Sequence, residues 1–189
     1  MSTHYVAKQL TAVTRSGANA KQKEVLDIAL KQIGFIPNMY ANMVNVPAVL
    51  TTYLQGYAAF REASGLTPAE QEVVLLAISR QNGCTYCTAA HSMIADKMSG
   101  VPAPVLAAIR AGQPIPDPKL RALHDFAREL VRTAGKPSAA DAERLFAAGY
   151  DETTILNVIL AAAVKTLSNY SNHLFATKVD DAFAAYKTA

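Results

Sequence analysis

The sequence lacks several features that would remove it from the ordinary globular proteins. It has no Trp and only 2 Cys, 9 Gly and 9 Pro among 189 residues, and 17% of its residues are charged while 51% are hydrophobic. So little Gly and Pro excludes a collagen-like chain, and the apolar fraction is too high for a disordered one. The chain can bury a sizeable core, and we expect a single domain over residues 1–189.

Long apolar runs and basic clusters are also missing. The longest apolar runs, such as 73–78 and 158–164, fall far short of the roughly 20 residues that a membrane-spanning helix needs. The net charge of +3 comes from 18 Lys and Arg scattered among 15 Asp and Glu, so we expect neither nucleic acid nor a membrane as a partner. The first ten residues do not read as a secretory signal, and we expect a cytoplasmic protein.

Apolar residues recur at intervals of three and four, which predicts an all-α protein of compact helical architecture. Pro68, preceded by Thr67 and followed by Glu70, forms the clearest helix start, a capping box with Pro at the first helical position. The stretch 35–39 reads as a loop and 112–118 as a linker. The predicted helices cover 21–34, 47–64, 68–82, 84–98, 104–110 and 118–133, and two more follow the N-caps Ser138 and Asp151.

Two segments resemble each other weakly. GLTPAEQEVVLLAI at 65–78 and GYDETTILNVILAA at 149–162 both have a Gly and a helix cap before an apolar helix. A duplicated helical hairpin would produce this pattern, so the fold could contain two related helical halves. The stretch 155–167 is apolar nearly all round, and we expect it to be buried.

The chemically informative segment contains a Cys pair and a His. On a helix of about 3.6 residues per turn, Cys84, Cys87 and His91 lie on one face. The two Cα atoms would be about 5 Å apart, which permits a reversible disulfide. A helix start favours anions, which points to Cys84 as the more acidic thiol. His91, one turn beyond Cys87, is within reach as a proton acceptor.

Glu72 is the second candidate in this segment. It shares a helix face with Leu75, Leu76 and Ser79 and is expected to be buried. A buried carboxyl is costly without a partner, and burial is expected to raise the pKa of Glu72 toward values useful for proton transfer. If the turn at Gly83 folds the two helices together, Glu72 faces His91.

Other interpretations of these residues stay open. The CxxC pair alone could be half of a zinc site, although the other histidines lack the spacing of a zinc finger, or it could be two inert core thiols. Glu72 and His91 could each have an ordinary packing or ion-pair role. Four further residues could line a pocket or simply pack: His124, Asn169, Tyr170 and His173.

Taken together, the residues resemble the alkylhydroperoxidase D-like branch of the carboxymuconolactone decarboxylase family. The resemblance rests on Glu72, a CxxC pair whose first Cys follows it by 12 positions, and a His four positions after the second Cys. GFIPN upstream and AAGYDETTILNVI and NYSNH downstream resemble the family more loosely. The resemblance implies an all-helical fold, a homo-oligomer (trimer, dimer or hexamer) and a cysteine-dependent peroxidase activity without a cofactor or metal.

The resemblance also implies roles for individual residues. Cys87 would be the peroxidatic thiol, and Cys84 the more exposed partner that forms the disulfide and meets the reductant. Glu72 and His91 would be the proton relay. Tyr86 stands where the best-known alkylhydroperoxidases of this type carry a second His, so it would donate a hydrogen bond or simply pack.

The reaction implied is a thiol cycle. A thiolate attacks a small-molecule hydroperoxide, becomes a sulfenic acid and condenses to a disulfide, which a lipoyl-bearing or thioredoxin-like dithiol donor reduces. The main alternative is a thiol-disulfide oxidoreductase or redox sensor without a physiological peroxidase role. A zinc-stapled interaction module is the third hypothesis. Decarboxylation is disfavoured, because the lactone decarboxylases of the family lack the Cys pair.

Overall fold

The structure is a computed structural model that describes residues 9–187, and within that range it contains helices and no strands. The predicted all-α class is therefore confirmed. None of the described helices is long and apolar enough to cross a membrane. His4, and most of the segment read for a secretory signal, lie outside the described residues. The helices are α1 (Ala20–Ile33), α2 (Asn38–Met43), α3 (Pro47–Ala63), α4 (Pro68–Gln81), α5 (Thr85–Lys97), α6 (Ala103–Ala111), α7 (Pro118–Arg132), α8 (Ala139–Ala147), α9 (Glu152–Phe175) and a 3₁₀ helix (Asp181–Tyr186).

The helix starts predicted at Thr67, Ser138 and Asp151 are confirmed by capping hydrogen bonds. At the start of α4 the backbone N–H of Glu70 donates to the Thr67 hydroxyl, and the backbone N–H of Thr67 donates to the Glu70 carboxylate. Ser138 and Asp151 cap α8 and α9 in the same way. Both α4 and α9 begin with a capping box, which agrees with the weak resemblance between 65–78 and 149–162. That the fold contains two related helical halves stays a prediction.

Two segments differ from the prediction. The stretch expected to be a loop at 35–39 instead leads into α2, because burial of four of its six side chains stabilises this short helix after Pro37. The stretch 155–167 is not buried all round. Its helix, α9, packs against α2, α3, α4, α5 and α7 on one side only. Leu156 is 68% exposed and Ile159 is 46% exposed on the other side.

The centre of the fold is α4, whose side chains are buried without interruption from Glu70 to Ser79. It contacts α5, α7 and α9. Gly83 follows it with φ of 70°, a left-handed conformation that Gly adopts without steric cost, and the resulting turn folds α5 back against α4. Cys84 is the N-cap of α5. The Cys pair therefore begins a helix packed beside α4 and α9.

A close approach of α3 and α9 fixes the other side of this centre. A Cβ added at Gly56 would lie 2.8 Å from Cγ2 of Val164. Val side chains have one strongly preferred rotamer in a helix, so Val164 cannot easily turn away. The absence of a side chain at Gly56 thus sets how near α9 lies to α3.

We expect Gly56→Ala to destabilise the protein. Overpacking a core costs about 1–3 kcal/mol, which outweighs the gain in helix propensity of up to about 1 kcal/mol. Urea unfolding measures the free energy of unfolding. Adding Val164→Ala should remove the clash, so the double variant should be more stable than the sum of the two single changes predicts. A Gly56→Ala protein as stable as the wild type would contradict this account of the contact.

Candidate active site

A cluster of polar side chains lies between α3, α4, α5 and α9 in the interior of the bundle. It contains the four residues predicted from the sequence, which come from α4 and α5, and four that were not predicted, which come from α3 and α9. The members are Glu72, Cys84, Cys87 and His91, together with Arg61, Lys165, Ser168 and Asn172.

Glu72 and His91 face each other across the α4–α5 contact, as the sequence predicted. Nδ1 of His91 is 2.9 Å from Oε2 of Glu72, and Arg61 donates from Nη2 to Oε1 of the same carboxylate. Burial would raise the pKa of Glu72, but the hydrogen bonds and charges of His91 and Arg61 lower it below its ordinary value. The prediction of a raised pKa is therefore wrong, because His91 and Arg61 together outweigh burial and keep the carboxylate ionised.

The other ring nitrogen of His91 contacts a lysine. Nζ of Lys165 is 2.8 Å from Nε2 of His91, and Lys165 is 0% exposed. Burial and the charge of Lys165 lower the pKa of His91 below its ordinary value. His91 is therefore neutral near pH 7: Nδ1–H donates to Glu72, and Nε2 accepts from the Lys165 ammonium. No carboxylate forms an ion pair with Lys165 among residues 9–187.

Both sulfur atoms are buried in contact with α9. Cys84 is 1% exposed and Cys87 is 2% exposed, so the greater exposure expected for Cys84 is not found. Nδ2 of Asn172 is 3.3 Å from Sγ of Cys87 and 3.8 Å from Sγ of Cys84. The Ser168 hydroxyl lies 3.9 Å from Sγ of Cys87. Cys87 thus has several hydrogen-bonding partners within an otherwise packed core.

The two thiols differ in acidity. Burial would raise the pKa of Cys87, but a hydrogen bond from the Cys84 thiol and the nearby charge of Lys165 lower it well below its ordinary value. Its hydrogen bond with Cys87, together with burial, raises the pKa of Cys84. These directions favour Cys87 as the more acidic thiol, in line with the role that the resemblance implies and against the helix-start argument for Cys84.

A cavity of about 360 Å³ reaches the cluster. Cys87, His91 and Lys165 line it, whereas Cys84 is not part of its wall. The rest of the wall is largely apolar and aromatic, and includes Phe35, Met39, Tyr40, Tyr53, Tyr57, Met93 and Phe183. A volume of this size lies within the range of small-molecule sites, about 300–1,000 Å³. A small molecule in the cavity would meet the Cys87 sulfur before the Cys84 sulfur.

Tyr86 contributes to the wall of this cavity. Its hydroxyl donates to Asp180 at 2.5 Å, and its ring packs edge-on against Phe183. Asp180 also accepts from the backbone N–H of Asn38 at 3.1 Å. Burial and the hydrogen bond to Asp180 raise the pKa of Tyr86. Tyr86 therefore ties the C-terminal segment to α5.

The remaining pocket candidates lie away from the Cys87 cavity. His124 pairs with Asp125 at 3.0 Å and lines a different cavity, next to α4 and α7. Asn169 accepts from Nδ2 of Asn82 at 2.9 Å, which fastens the turn before the Cys pair to α9. Tyr170 and His173 stack on each other. Within residues 9–187 no three His, Cys, Asp or Glu side chains are arranged to hold a metal ion.

The sequence missed Arg61 and Lys165, which supply the positive charge of the cluster. Lys165 had a visible signal, because it is a charged residue directly after the apolar run 158–164. Arg61 had none, since it is one charged residue near the C-terminal end of an amphipathic helix. Ser168 and Asn172 follow Lys165 at helical spacing on the same face of α9.

Comparison with known proteins identifies the class of fold. An uncharacterised peroxidase-related protein from Ralstonia eutropha JMP134, with an alkylhydroperoxidase AhpD core, is similar to this chain with a TM-score of 0.78 and 22% identity over 92% of each chain. A peroxidase-related protein from Silicibacter sp. TM1040 gives a TM-score of 0.73 and 22% identity over 93% of this chain and 94% of that one. The debrominase Bmp8, as a cysteine-to-alanine variant in complex with 2,3,4-tribromopyrrole, gives 0.77 and 17% over 96% and 97%.

These likenesses establish the alkylhydroperoxidase D-like helical fold. Residues 47–129 match the model of the carboxymuconolactone decarboxylase family, and this segment contains Glu72, both cysteines and His91. The resemblance to the alkylhydroperoxidase D-like branch of that family, predicted from the sequence, is confirmed. No curated protein matches the chain.

The protonation state of His91 predicts how stability depends on pH. Because the pKa of folded His91 lies below the ordinary value of 6.5, unfolded His91 takes up a proton at higher pH than folded His91 does. Its contribution to stability is therefore complete above about pH 6.5 and is lost as the pH falls through the folded pKa. Urea unfolding at a series of pH values should show this loss in the wild type and a flatter profile in His91→Gln. Identical profiles would contradict a buried neutral His91.

Proposed function

We propose that this chain, as a single helical domain over residues 1–189, is a cysteine-dependent peroxidase that reduces hydroperoxides through a Cys84–Cys87 dithiol-disulfide cycle. The observation that carries the proposal is the Cys87 sulfur, which lines a cavity beside a buried cation and accepts hydrogen bonds that favour its thiolate. A thiolate is the reactive form of cysteine toward peroxides. The family resemblance supports the same reaction.

The proposed cycle has two chemical steps and a reset. The Cys87 thiolate attacks the terminal oxygen of the hydroperoxide, the O–O bond breaks, and Cys87 becomes a sulfenic acid while an alcohol leaves. The Cys84 thiol then attacks the Cys87 sulfur, and a disulfide and water form. A dithiol donor reduces this disulfide by exchange and restores both thiols. The positions of the sulfurs support this order, because only Cys87 lines the cavity.

Glu72 and His91 are the proposed proton relay. The ionised Glu72 carboxylate accepts from Nδ1–H of His91, which fixes the tautomer with Nε2 unprotonated. Nε2 is 2.8 Å from Nζ of Lys165, and His91, Lys165 and Cys87 all contribute to the cavity wall. Arg61 keeps the carboxylate ionised and in position. The pair can thus exchange a proton with the Lys165 side chain without exposing the site to bulk solvent.

Burial of both sulfurs bears on the choice of substrate and donor. A protein disulfide must touch the attacking sulfur directly, whereas a hydroperoxide can diffuse into the cavity. The main alternative, a thiol-disulfide oxidoreductase or redox sensor, is therefore less well supported than the peroxidase. For the same reason a lipoyl group on an extended arm suits the buried disulfide better than a thioredoxin-like donor. The cytoplasm, where dithiol donors are kept reduced, stays the predicted location.

We expect Cys87→Ser to abolish hydroperoxide consumption in the presence of a dithiol reductant, because Cys84, the other cysteine of the chain, is not part of the cavity wall. Cys84→Ser should still consume about one equivalent of hydroperoxide and then stop as a sulfenic acid, since the disulfide cannot form. Thr85→Ser, an exposed neighbour between them in sequence, is the matched control and should turn over like the wild type. Mass spectrometry after thiol trapping measures the two products.

Two substrates and a metal analysis separate the proposed function from its rivals. Wild-type protein is assayed with an alkyl hydroperoxide and with a disulfide-bonded protein. Fast hydroperoxide turnover that is lost in Cys87→Ser supports the peroxidase. Fast exchange with the protein disulfide beside slow hydroperoxide turnover supports the oxidoreductase. Stoichiometric zinc in the purified protein, with unfolding by a chelator, would support the zinc-stapled module instead.

Assembly into a homo-oligomer is the last part of the proposal. The exposed side of α9 carries an apolar stripe formed by Leu156, Ile159, Tyr170 and Leu174, and such a stripe on an exposed helix face is typical of an interface. The stripe supports the assembly that the resemblance implies.

We expect Leu156→Lys combined with Ile159→Lys to convert the oligomer into a monomer, because two buried charges would be left without partners in the interface. Sedimentation velocity gives the mass of each protein in solution. Val46→Lys, a charge added at an exposed apolar residue outside α9, is the control and should leave the oligomer intact. A wild type that sediments as a monomer would contradict the proposed assembly.

A further inference from the structure

The least expected member of the buried cluster is Lys165, a lysine with no exposed surface. Its neighbours on the same face of α9, Ser168 and Asn172, both contact Sγ of Cys87. Lys165 and Cys87 line the same cavity, and Nζ of Lys165 is held by Nε2 of His91 at 2.8 Å. The ammonium group is therefore fixed next to the position at which a substrate would meet the sulfur.

We propose that Lys165 is a catalytic residue: its ammonium group pairs with the Cys87 thiolate and donates the proton to the oxygen atom that leaves when the O–O bond breaks. This proposal rests on the peroxidase function proposed above and assigns a role that neither the family resemblance nor the CxxC pattern supplies. In this proposal Lys165 contacts the reacting atoms, and His91 is a positioning residue that acts through Lys165.

Charge balance is the first argument. The ionisable groups that face this region come from five helices and from the segment before the 3₁₀ helix: Tyr40 on α2; Tyr53, Tyr57 and Arg61 on α3; Glu72 on α4; Cys84, Tyr86, Cys87 and His91 on α5; Lys165 on α9; and Asp180. The Asp180 carboxylate accepts from Tyr86 and from the backbone N–H of Asn38. Arg61 and neutral His91 satisfy the Glu72 carboxylate. A buried ammonium without an anion costs several kcal/mol, so Lys165 needs a further negative charge nearby.

Cys87 is the group that can supply this charge. Burial raises the pKa of Tyr57 to about 12 and also raises the pKa of Tyr40 and Tyr53, so none of these hydroxyls ionises near neutral pH. The Cys84 thiol is held protonated by its hydrogen bond to Cys87. With Cys87 as a thiolate, the cluster contains two cations, Arg61 and Lys165, and two anions, Glu72 and Cys87.

Proton balance is the second argument. When the thiolate attacks, the sulfur takes the terminal OH of the hydroperoxide, and the leaving alkoxide must gain a proton. The Lys165 ammonium supplies it and becomes a neutral amine, still able to donate a hydrogen bond to Nε2 of His91. Condensation of the sulfenic acid with the Cys84 thiol releases water and needs no further proton. After the dithiol donor restores both thiols, the Cys87 thiol returns its proton to Lys165.

The test is the pKa of Cys87 in Lys165→Met and Lys165→Arg. Met matches the length of the side chain without the charge, and Arg keeps the charge. In the Cys84→Ser background Cys87 is the one remaining thiol, so the ultraviolet absorbance of its thiolate can be followed between about pH 4 and pH 9. Lys165→Met should raise the pKa of Cys87 by about one to three pH units, and Lys165→Arg should raise it less. Lys136→Met, at an exposed lysine, should leave it unchanged.

With Cys84 present, Lys165→Met should slow hydroperoxide reduction at neutral pH by about 100-fold or more, beyond what the higher pKa alone explains. A folded Lys165→Met protein with an unchanged Cys87 titration would overturn the proposal. If the wild type failed to reduce hydroperoxides while the titration still shifted, the proposed function would be wrong and the ion pair would stand.

A second measurement covers the outcome in which neither Lys165 variant folds. Cys87→Ser removes the anion and keeps the size of the side chain, so it should lower the melting temperature more than Cys84→Ser does, because it leaves the buried ammonium unpaired. Equal melting temperatures for the two serine variants would overturn the ion pair.

Discussion

Charge balance inside the helix bundle is the constraint on which the rest of the structure depends. The protein buries Glu72 and Lys165 completely between α3, α4, α5 and α9, and it adds the guanidinium of Arg61 at the edge of the same region. Each of these charges would cost several kcal/mol alone. The fold tolerates these charges only together. Arg61 and His91 hydrogen-bond the Glu72 carboxylate, and the Cys87 thiolate balances the charge of Lys165. The four helices therefore have to pack in one relative arrangement.

Two glycines let the helices reach that arrangement. Gly83, with its positive φ, reverses the chain so that α5 returns along α4 and brings His91 to Glu72. Gly56 lets α9 lie close to α3, because its missing side chain leaves room for Val164. Val164 immediately precedes Lys165 in the chain. The contact between Gly56 and Val164 thus also fixes how deep in the core the Lys165 ammonium group lies.

Local sequence patterns predicted much of this helix arrangement. The capping box at Thr67, the turn at Gly83 and the shared face of Cys84, Cys87 and His91 each depend on residues within a few positions of one another. The sequence did not predict the contacts made by α9, because Lys165 meets His91 across a separation of 74 residues. Periodicity describes which residues share a face but not which helix covers that face. For that reason the stretch 155–167 was expected to be buried all round, whereas four of its 13 residues are buried.

The wrong prediction for Glu72 has the same origin. Burial alone raises the pKa of a carboxyl group, and burial was the part that the sequence revealed. The sign of the shift depends on partners: His91 and Arg61 reverse it together, and Arg61 lies on a different helix and carries no motif. Likewise, a helix start alone favours Cys84 as the acidic thiol. The hydrogen bond between the sulfurs and the charge of Lys165 act at shorter range and favour Cys87 instead.

Access to the sulfurs constrains the order of events in the proposed cycle. Cys87 lines the cavity and Cys84 does not, so the first bond to substrate forms at Cys87 and the disulfide then forms behind it. Both sulfurs remain buried, which means that the dithiol donor has to approach the disulfide through the same cavity that admitted the hydroperoxide. The hydroperoxide and the dithiol donor therefore cannot occupy the cavity at the same time. An enzyme that must release its first product before its second substrate can enter follows a ping-pong sequence, and here the position of one sulfur atom behind the other imposes it.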